Sequence, residues 1–172
     1  RDRSELQNVY DGKSLILVDC SDDSIFISKR ETESRVPASL AKLFVIDYAN
    51  EIADLNEIVH ASPHALSMTK PGASTAGITE QEYYLHNLFA AMLVPSSNNA
   101  AYVVADYCGG ILAPDASTSE KRVTAFMHGL QEHLTGIVCS DTVLYDPSGF
   151  DLEARTTVLD LKIIADRLLE KD

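Results

Sequence analysis

Ser39 and Lys42 stand three residues apart in a segment where a helix is predicted to begin. Side chains three apart lie on the same face of a helix, so the hydroxyl and the amine would be neighbours. Serine is a poor nucleophile at its free pKa, and lysine can activate it when burial or a nearby cation keeps the amine neutral. The start of a helix also offers free N–H groups to a developing oxyanion. The pair therefore indicates acyl transfer, with Ser39 as the nucleophile and Lys42 as its base.

The same spacing can also arise without catalysis. A chain of this length is expected to hold about one S-x-x-K by chance at ordinary residue frequencies. A second copy, Ser67-Met-Thr-Lys70, lies in a segment with no clear periodicity. Ser39 could also serve only as the cap of the helix start. The serine–lysine spacing alone therefore does not distinguish a catalytic pair from a chance match or a helix cap.

A second polar group stands at another predicted helix start, directly after Pro95. The sequence allows two S-x-N frames, Ser96 with Asn98 or Ser97 with Asn99. Serine and asparagine are also among the residues that most often cap a helix, so capping is the plain alternative. Taken alone, this group does not distinguish a proton-relay site from a cap.

The predicted strands amount to one clear β-hairpin. Residues 14–19 and 25–28 are apolar runs rich in isoleucine and valine, joined by turn-forming residues. A short strand is predicted at 142–145, followed by a turn at 146–149. Because a two-stranded hairpin is marginal on its own, either helices cover both of its faces or strands are missing.

Hydrophobic periodicity and capping residues predict five helices. The first begins close to Ser39, the second opens with a capping box at Thr79 and Glu82, and residues 109–110 are expected to stop the third. The predicted helices cover 38–53, 79–94, 98–107, 119–135 and 157 to the end of the chain. Residues 60–78, with several prolines and glycines, are predicted to be irregular, with at most a turn of helix. The predicted fold class is therefore α+β in a single domain.

Composition narrows the class of protein. The 172 residues carry a net charge of −12 and are 45% hydrophobic, which fits a globular domain with a sizeable core and no membrane span. The acidic excess and the scattered basic residues argue against nucleic acid as a partner. The cysteines lack metal-ligand spacing, and the helix-breaking Pro63 separates His60 from His64. No cofactor and no metal are predicted.

The context of the serine–lysine pair resembles a known family. V-P-A-S-L-A-K at 36–42 and V-P-S-S-N at 94–98 resemble the S-x-x-K and S-x-N elements of penicillin-binding serine peptidases. The low-molecular-mass D-alanyl-D-alanine carboxypeptidases are the most similar group, since they also carry a hairpin before a P-A-S-x-x-K helix. K-P-G at 70–72, D-P-S-G-F-D at 146–151 and T-x-x-D-L at 157–161 follow the family's order. The likeness extends over nearly the whole chain.

This resemblance implies a β-lactamase/transpeptidase-like fold and a role for each site residue. Ser39 would accept the acyl group, Lys42 would be the general base, Ser96 would relay the proton to the leaving group, and Asn98 would hold the substrate amide and orient the lysine. The Ser96–Asn98 frame is preferred because it is in register with the family's V-P-S-G-N pattern. The implied ligands are peptidoglycan stem peptides and β-lactams. The implied location is the bacterial cell envelope or the exported space.

One element of the family is absent from these 172 residues. The family carries K-T-G or K-S-G on a strand beside the nucleophile, which brings a cation for the substrate carboxylate and one oxyanion N–H. The K-x-G present here is Lys70-Pro-Gly72, whose proline does not suit a strand that binds substrate. We interpret 1–172 as a truncated domain that lacks the C-terminal sheet strands. Its open hairpin edge is expected to pair with a C-terminal fragment or a second copy of the chain.

Two other functions are consistent with the same residues. An inactive truncated relative could bind peptidoglycan or a partner, which the absent third element favours and the four retained site residues oppose. A β-lactamase or esterase could use the same scaffold. That reaction needs a carboxylate that activates water near the acyl group, and the sequence does not single one out.

Overall fold

Helices are the main secondary structure of the described residues, and the named strands form two separate antiparallel pairs. The computed structural model describes residues 11–170. The strands are β1 (Leu15–Val18), β2 (Ile25–Lys29), β3 (Ile58–His60) and β4 (Glu82–Tyr84). The helices are α1 (Ala41–Ile52), α2 (Pro63–Ser67), α3 (Leu85–Leu93), α4 (Asn98–Leu112), α5 (Ser119–Gly136) and α6 (Val158–Glu170). The predicted α+β class is confirmed. Within 11–170, none of the helices is long and apolar enough to cross a membrane.

The N-terminal hairpin forms where it was predicted. β1 pairs with β2 in antiparallel register, with an irregularity between Leu17 and Val18. Ile27 is buried, whereas Leu17, Ile25 and Phe26 are 44–46% exposed. The hairpin therefore rests on the helices with part of its surface and leaves an apolar part open.

Helix α4 is the central helix of the core and packs against α1, α2, α3 and α5. It is rich in alanine and valine, as expected for a helix buried on most sides. The prediction that Gly109 and Gly110 end this helix is wrong, because it continues to Leu112. A Cβ on Gly109 would lie 1.9 Å from the carbonyl oxygen of Arg122. The glycine is needed for the close crossing of α4 and α5.

The segment before α3 is a strand, and the capping box predicted there does not form. Glu82–Tyr84 pairs with Ile58–His60, and α3 begins only at Leu85 without a side-chain cap. The Thr79 N–H instead donates to the Tyr83 hydroxyl at 3.0 Å. Pairing with a strand more than 20 residues away satisfies this backbone, and local sequence does not reveal such a partner.

The C-terminal helix begins at its predicted cap. Thr157 Oγ1 accepts the Asp160 N–H at 3.2 Å. The strand predicted at 142–145 is reduced to a single bridge between Val143 and Arg155. Helix α6 then packs against α1, the helix whose first turn contains Lys42.

Candidate active site

Ser39 lies in a tight turn that leads into α1. Residues Ala38–Leu40 form a 3₁₀ turn, and Lys42 follows in the first turn of α1. Ala38 has a φ of +49°, a left-handed conformation that costs an L-residue about 1–3 kcal/mol. Ser39 is exposed. Its hydroxyl is therefore open to a ligand, while the amine beside it is buried.

The amine of Lys42 is the centre of the site. Its side chain is 1% exposed. Nζ lies 3.2 Å from Ser39 Oγ and 3.3 Å from Ser96 Oγ. It donates to Asn98 Oδ1 at 2.8 Å and to the Ser148 carbonyl oxygen at 3.0 Å. The structure thus brings together the four residues singled out in the sequence and adds the backbone of Ser148.

The neighbours of this amine suit a group that takes and returns a proton. The Asn98 and Ser148 oxygens are carbonyls, which only accept hydrogen bonds, whereas hydroxyls both donate and accept. A neutral amine can use its two N–H bonds on these carbonyls and turn its lone pair to a serine hydroxyl. An ammonium can place its third N–H on the same hydroxyl. Both protonation states are satisfied, as a general base that later acts as an acid requires.

Burial lowers the pKa of Lys42 below its ordinary value of 10.5, and the negative charge of Asp146 acts in the opposite direction. Desolvation disfavours the ammonium because the interior replaces its hydration only in part. A lowered pKa increases the fraction of neutral amine near neutral pH. Only this neutral form can accept the proton of Ser39.

The connection between α3 and α4 supplies Ser96, and the first residue of α4 is Asn98. Ser96 has a φ of +57°, so its backbone is held in the left-handed region where its hydroxyl faces Lys42. Ser97 Oγ accepts a backbone N–H of the first turn of α4 at 3.1 Å and donates to Asn99 Oδ1. Of the two S-x-N frames, Ser96 with Asn98 faces the amine and Ser97 with Asn99 caps the helix.

The turn at 146–149 belongs to the site, although the sequence predicted it only as a turn and as one of the segments that follow the family's order, without a role for any of its residues. Its aspartate–proline–serine–glycine composition predicts its shape, and the Asp146 carboxylate accepts the Ser148 N–H at 2.8 Å as such turns do. The Ser148 carbonyl reaches Lys42 across 106 residues of sequence. A backbone oxygen has no sequence signature, so local composition could not have identified this contact.

The second S-x-x-K does not form a comparable pair. Ser67 ends α2 and donates to the His64 carbonyl oxygen at 2.7 Å. Both Ser67 and Lys70 are exposed. An exposed lysine keeps its hydration, so this copy lacks the buried amine that would activate a serine.

A cluster with metal-ligand geometry lies away from this site. Within residues 11–170, Asp47, Glu51 and His133 have ligand atoms close enough to share an ion. Arg167 occupies the gap, with Nε 2.9 Å from Asp47 Oδ2 and Nη2 2.6 Å from Glu51 Oε1. A guanidinium held by both carboxylates takes the place of a metal cation. We assign these residues to the joint between α1, α5 and α6.

A largely apolar groove opens beside Ser39 and Ser96. Its volume is about 430 Å³. The groove is lined by Pro37, Ala38, Ser39, Leu40, Lys42, Leu43, Met92, Leu93 and Ser96. The single cationic side chain in this lining is that of Lys42, whose amine is directed to the hydroxyls and carbonyls described above.

Solved structures share this fold. The D-alanyl-D-alanine carboxypeptidase DacD from Francisella tularensis matches with a TM-score of 0.77 at 24% identity, over 94% of this chain and 38% of that chain. A variant of a Streptomyces DD-transpeptidase gives a TM-score of 0.83 at 19% identity, over 93% of this chain and 62% of that chain. Penicillin-binding protein 6B from Escherichia coli gives 0.75 at 22% identity, over 91% and 49%. These identities show likeness of fold, and the chain spans less than two thirds of each of these structures.

The sequence itself gives the decisive comparison. No curated protein matches it. Residues 2–172 match the family described as D-alanyl-D-alanine carboxypeptidase. The matched region contains the serine–lysine pair, the S-x-N group and the turn that meet at Lys42. The resemblance found in the motifs is thus confirmed over nearly the full length, and the chain belongs to the D-alanyl-D-alanine carboxypeptidase family.

Proposed function

We propose that the chain carries the acyl-transfer groups of a serine-type D-Ala-D-Ala carboxypeptidase. The substrate would be a peptidoglycan stem peptide that ends in D-Ala-D-Ala, and β-lactams would acylate the same serine. One observation carries the proposal. A buried lysine amine with a lowered pKa lies 3.2 Å from an exposed serine hydroxyl and 3.3 Å from a second hydroxyl. The proposed nucleophile and the proposed relay are both within hydrogen-bond reach of the amine that would serve as the base.

Each proposed role follows from position. Neutral Lys42 takes the proton of Ser39, and Oγ attacks the carbonyl carbon of the penultimate D-alanine. When the tetrahedral intermediate collapses, the C–N bond breaks, and the leaving amine receives the proton from Lys42 through Ser96. Free D-alanine departs, and the peptide remains as an ester on Ser39. Water then cleaves the ester along the same proton route. Asn98 holds Lys42 and presents its amide to the substrate.

Substrate binding requires more than these proton-transfer groups. The family's third element would supply a cation for the terminal carboxylate and one oxyanion donor, and the present sequence has neither K-T-G nor K-S-G. Loss of one oxyanion donor alone costs about 10²- to 10³-fold in rate. We therefore expect slow acylation by substrate-like compounds and faster acylation by reagents that need only an activated serine.

We propose that a further strand pairs with the open side of the hairpin. Leu17, Ile25 and Phe26 leave an apolar surface there, and Val36 and Leu40 beside the nucleophile are 43% and 49% exposed. A strand from a C-terminal segment or from a second copy would cover this surface. Light scattering after size-exclusion chromatography separates the sources. A dimer supports the second copy, whereas a monomer at all concentrations excludes it.

We propose that the protein is exported. Peptidoglycan lies outside the cytoplasmic membrane of bacteria, so an enzyme acting on its stem peptides must reach that space. Fractionation of the producing cell with an antibody to this chain would locate it. Recovery in the cytoplasmic fraction alone would contradict this part of the proposal.

The test of the reaction is covalent labelling followed by intact-protein mass spectrometry. Phenylmethylsulfonyl fluoride needs only an activated serine, whereas benzylpenicillin also needs the substrate-binding groups. We expect one adduct per chain with each reagent and a faster reaction with the sulfonyl fluoride. The adduct should be absent from Ser39→Ala. It should persist in Ser67→Ala, the matched control in the second S-x-x-K.

Other outcomes would redirect the assignment. An adduct that survives Ser39→Ala would remove Ser39 as the nucleophile. A folded chain that binds a D-Ala-D-Ala peptide but forms no adduct with either reagent would support the inactive binding module. Continuous hydrolysis of benzylpenicillin without a lasting adduct would indicate a β-lactamase or esterase on the same scaffold.

A further inference from the structure

The turn at 146–149 contacts both members of the nucleophile–base segment. On one side, the Ser148 carbonyl oxygen accepts a hydrogen bond from Lys42 Nζ at 3.0 Å. On the other side, Gly149 packs against the residue that precedes the nucleophile. A Cβ on Gly149 would lie 1.9 Å from the carbonyl oxygen of Ala38. One short turn therefore touches the base through a carbonyl and the nucleophile's backbone through a glycine.

A single carboxylate fixes the shape of this turn. Asp146 Oδ1 accepts the N–H groups of Ser148 at 2.8 Å and Phe150 at 3.3 Å, and it also accepts the Ser148 hydroxyl. The other oxygen, Oδ2, accepts the Asp151 N–H at 2.8 Å. Hydrogen bonds to an ionised carboxylate are stronger than neutral ones. The direction of the Ser148 carbonyl therefore depends on the Asp146 side chain.

The turn also supports strained backbone beside the nucleophile. Ala38 has a φ of +49°, and Gly149, which packs against it, has a φ of +74°. A left-handed L-residue persists only where its surroundings hold it. Glycine lacks a Cβ and adopts this conformation without strain, so the turn can approach Ala38 closely.

We propose that Asp146 is a positioning residue for the acyl-transfer reaction and acts through the turn that it folds. It directs the Ser148 carbonyl at Lys42 and seats Gly149 against Ala38. This inference rests on the proposed function, since the positioning serves the reaction only if Lys42 is the base. It extends the site beyond the S-x-x-K and S-x-N elements to a third segment that contributes backbone in place of a reactive side chain.

The charge of Asp146 gives this role a measurable consequence. The polar groups that face Lys42 come from the 3₁₀ turn before α1, from the α3–α4 connection, from the start of α4 and from the turn at 146–149. They are Ser39, Ser96, Asn98, Ser148 and Asp146. The negative charge of Asp146 raises the pKa of Lys42 against the larger lowering effect of burial. Removal of the charge lowers the pKa of Lys42 further.

The test is an NMR titration of Lys42 in the folded chain. Lysine labelled with ¹³C at Cε gives the signals, and Lys42→Met assigns the relevant one. Asp146→Asn removes the charge and replaces the acceptor of the Asp151 N–H by a donor. The control Asp151→Asn removes the same charge from the same loop, where that carboxylate accepts only the nearby Glu153 N–H at 2.8 Å among its hydrogen bonds in residues 11–170.

We expect the Lys42 midpoint to move to lower pH in Asp146→Asn and to stay in place in Asp151→Asn. The acid limb of the pH–rate profile for sulfonyl fluoride labelling should move in the same direction, because the rate follows the neutral fraction of Lys42. The labelling rate at high pH, where it no longer rises, should fall at least about tenfold in Asp146→Asn but not in Asp151→Asn. The reason is that the turn loses the carboxylate that accepts its N–H groups. A role in folding alone would lower the fraction of chain that is labelled and leave the plateau labelling rate of the folded chain unchanged.

Two results would overturn the inference. One is an unmoved Lys42 midpoint in folded Asp146→Asn, and the other is an equal shift in both variants. If Asp146→Asn does not fold, Gly149→Ala tests the other contact of the turn, and an unchanged labelling rate in that variant overturns the inference. A wild-type Lys42 that titrates together with the exposed lysines would contradict the proposed function instead. The two failures are therefore distinguishable.

Discussion

Replacement of Gly149 by alanine tests whether the turn must approach the nucleophile closely. The new Cβ would lie 1.9 Å from the Ala38 carbonyl oxygen, 2.7 Å from its carbonyl carbon and 2.9 Å from the Ala41 Cβ. Ordinary contacts begin near 3.4 Å, so the turn and Ala38 must separate by about 1.5 Å. Two of the three contacts are backbone atoms, which cannot rotate away as a flexible side chain would.

The matched control is Gly72→Ala. Gly72 has a φ of +81° and no atom within 4 Å of an added Cβ. Both substitutions place an L-residue in the left-handed region, at about 1–2 kcal/mol. The Gly149 substitution adds a steric term, for which overpacking gives about 1–3 kcal/mol. We expect urea denaturation to show that the free energy of unfolding falls by about 1–2 kcal/mol in the control and by about 2–5 kcal/mol in Gly149→Ala.

The same displacement should slow the reaction. It acts on the residue directly before Ser39 and so changes the position of Oγ relative to Lys42 Nζ. A misplacement of about 1 Å costs on the order of 10²-fold in rate. Sulfonyl fluoride labelling, followed by intact mass, should be about 100-fold slower in Gly149→Ala and unchanged in Gly72→Ala. Equal labelling rates in the two folded variants would refute the close approach on which this reasoning depends.

Three further predictions concern stability and thiol reactivity. Gly109→Ala would place its Cβ 1.9 Å from a carbonyl oxygen of α5, whereas that of Gly110→Ala meets a side chain at 3.5 Å. In urea denaturation the free energy of unfolding should fall by about 1–3 kcal/mol in Gly109→Ala and rise by up to about 1 kcal/mol in Gly110→Ala. The reverse order would contradict the close crossing of α4 and α5. Asp47→Asn removes the charge of the fully buried carboxylate that lies 2.9 Å from Arg167 Nε, and breaking this buried ion pair should cost about 3–5 kcal/mol. Glu51→Gln, at a 44% exposed carboxylate, should cost less than about 1 kcal/mol. Burial raises the pKa of the two buried thiols to about 12, so iodoacetamide near neutral pH should modify the native chain once, at Cys20. A second modification before denaturation would show that the core is open.

Features fixed by local spacing could be predicted from the sequence. Ser39 and Lys42 were expected to face each other because a three-residue spacing determines this on any helix, and their polar atoms lie 3.2 Å apart. The hairpin and the cap at Thr157 follow from local patterns in the same way. The capping box at Thr79 failed because Glu82 belongs to a strand whose partner lies more than 20 residues earlier, and no local pattern contains that information.

The choice of S-x-N frame and the contact of Ser148 depend on three-dimensional context. The two frames contain the same residue types, so composition could not separate them. The left-handed backbone at Ser96 directs one serine to the amine and leaves the next to cap α4. The Ser148 carbonyl is a backbone atom, whose contact with Lys42 depends on how a distant turn packs. Family resemblance indicated the Ser96–Asn98 frame. The contact of the Ser148 carbonyl with Lys42 became visible only in the folded structure.

The residues around Lys42 are arranged at a cost in stability, which supports a functional role for this site. Burial of an amine is unfavourable, and its lowered pKa reflects that cost. Two L-residues at positive φ, Ala38 and Ser96, flank the same amine and add about 1–3 kcal/mol each. A chain selected only to fold would do better with an apolar side chain at position 42 and unstrained backbone on both sides. Local rules of stability are thus broken three times around one atom, Lys42 Nζ. Such concentrated violations are typical of sites where a protein trades stability for reactivity, so they support the proposed role of Ser39 independently of motif resemblance.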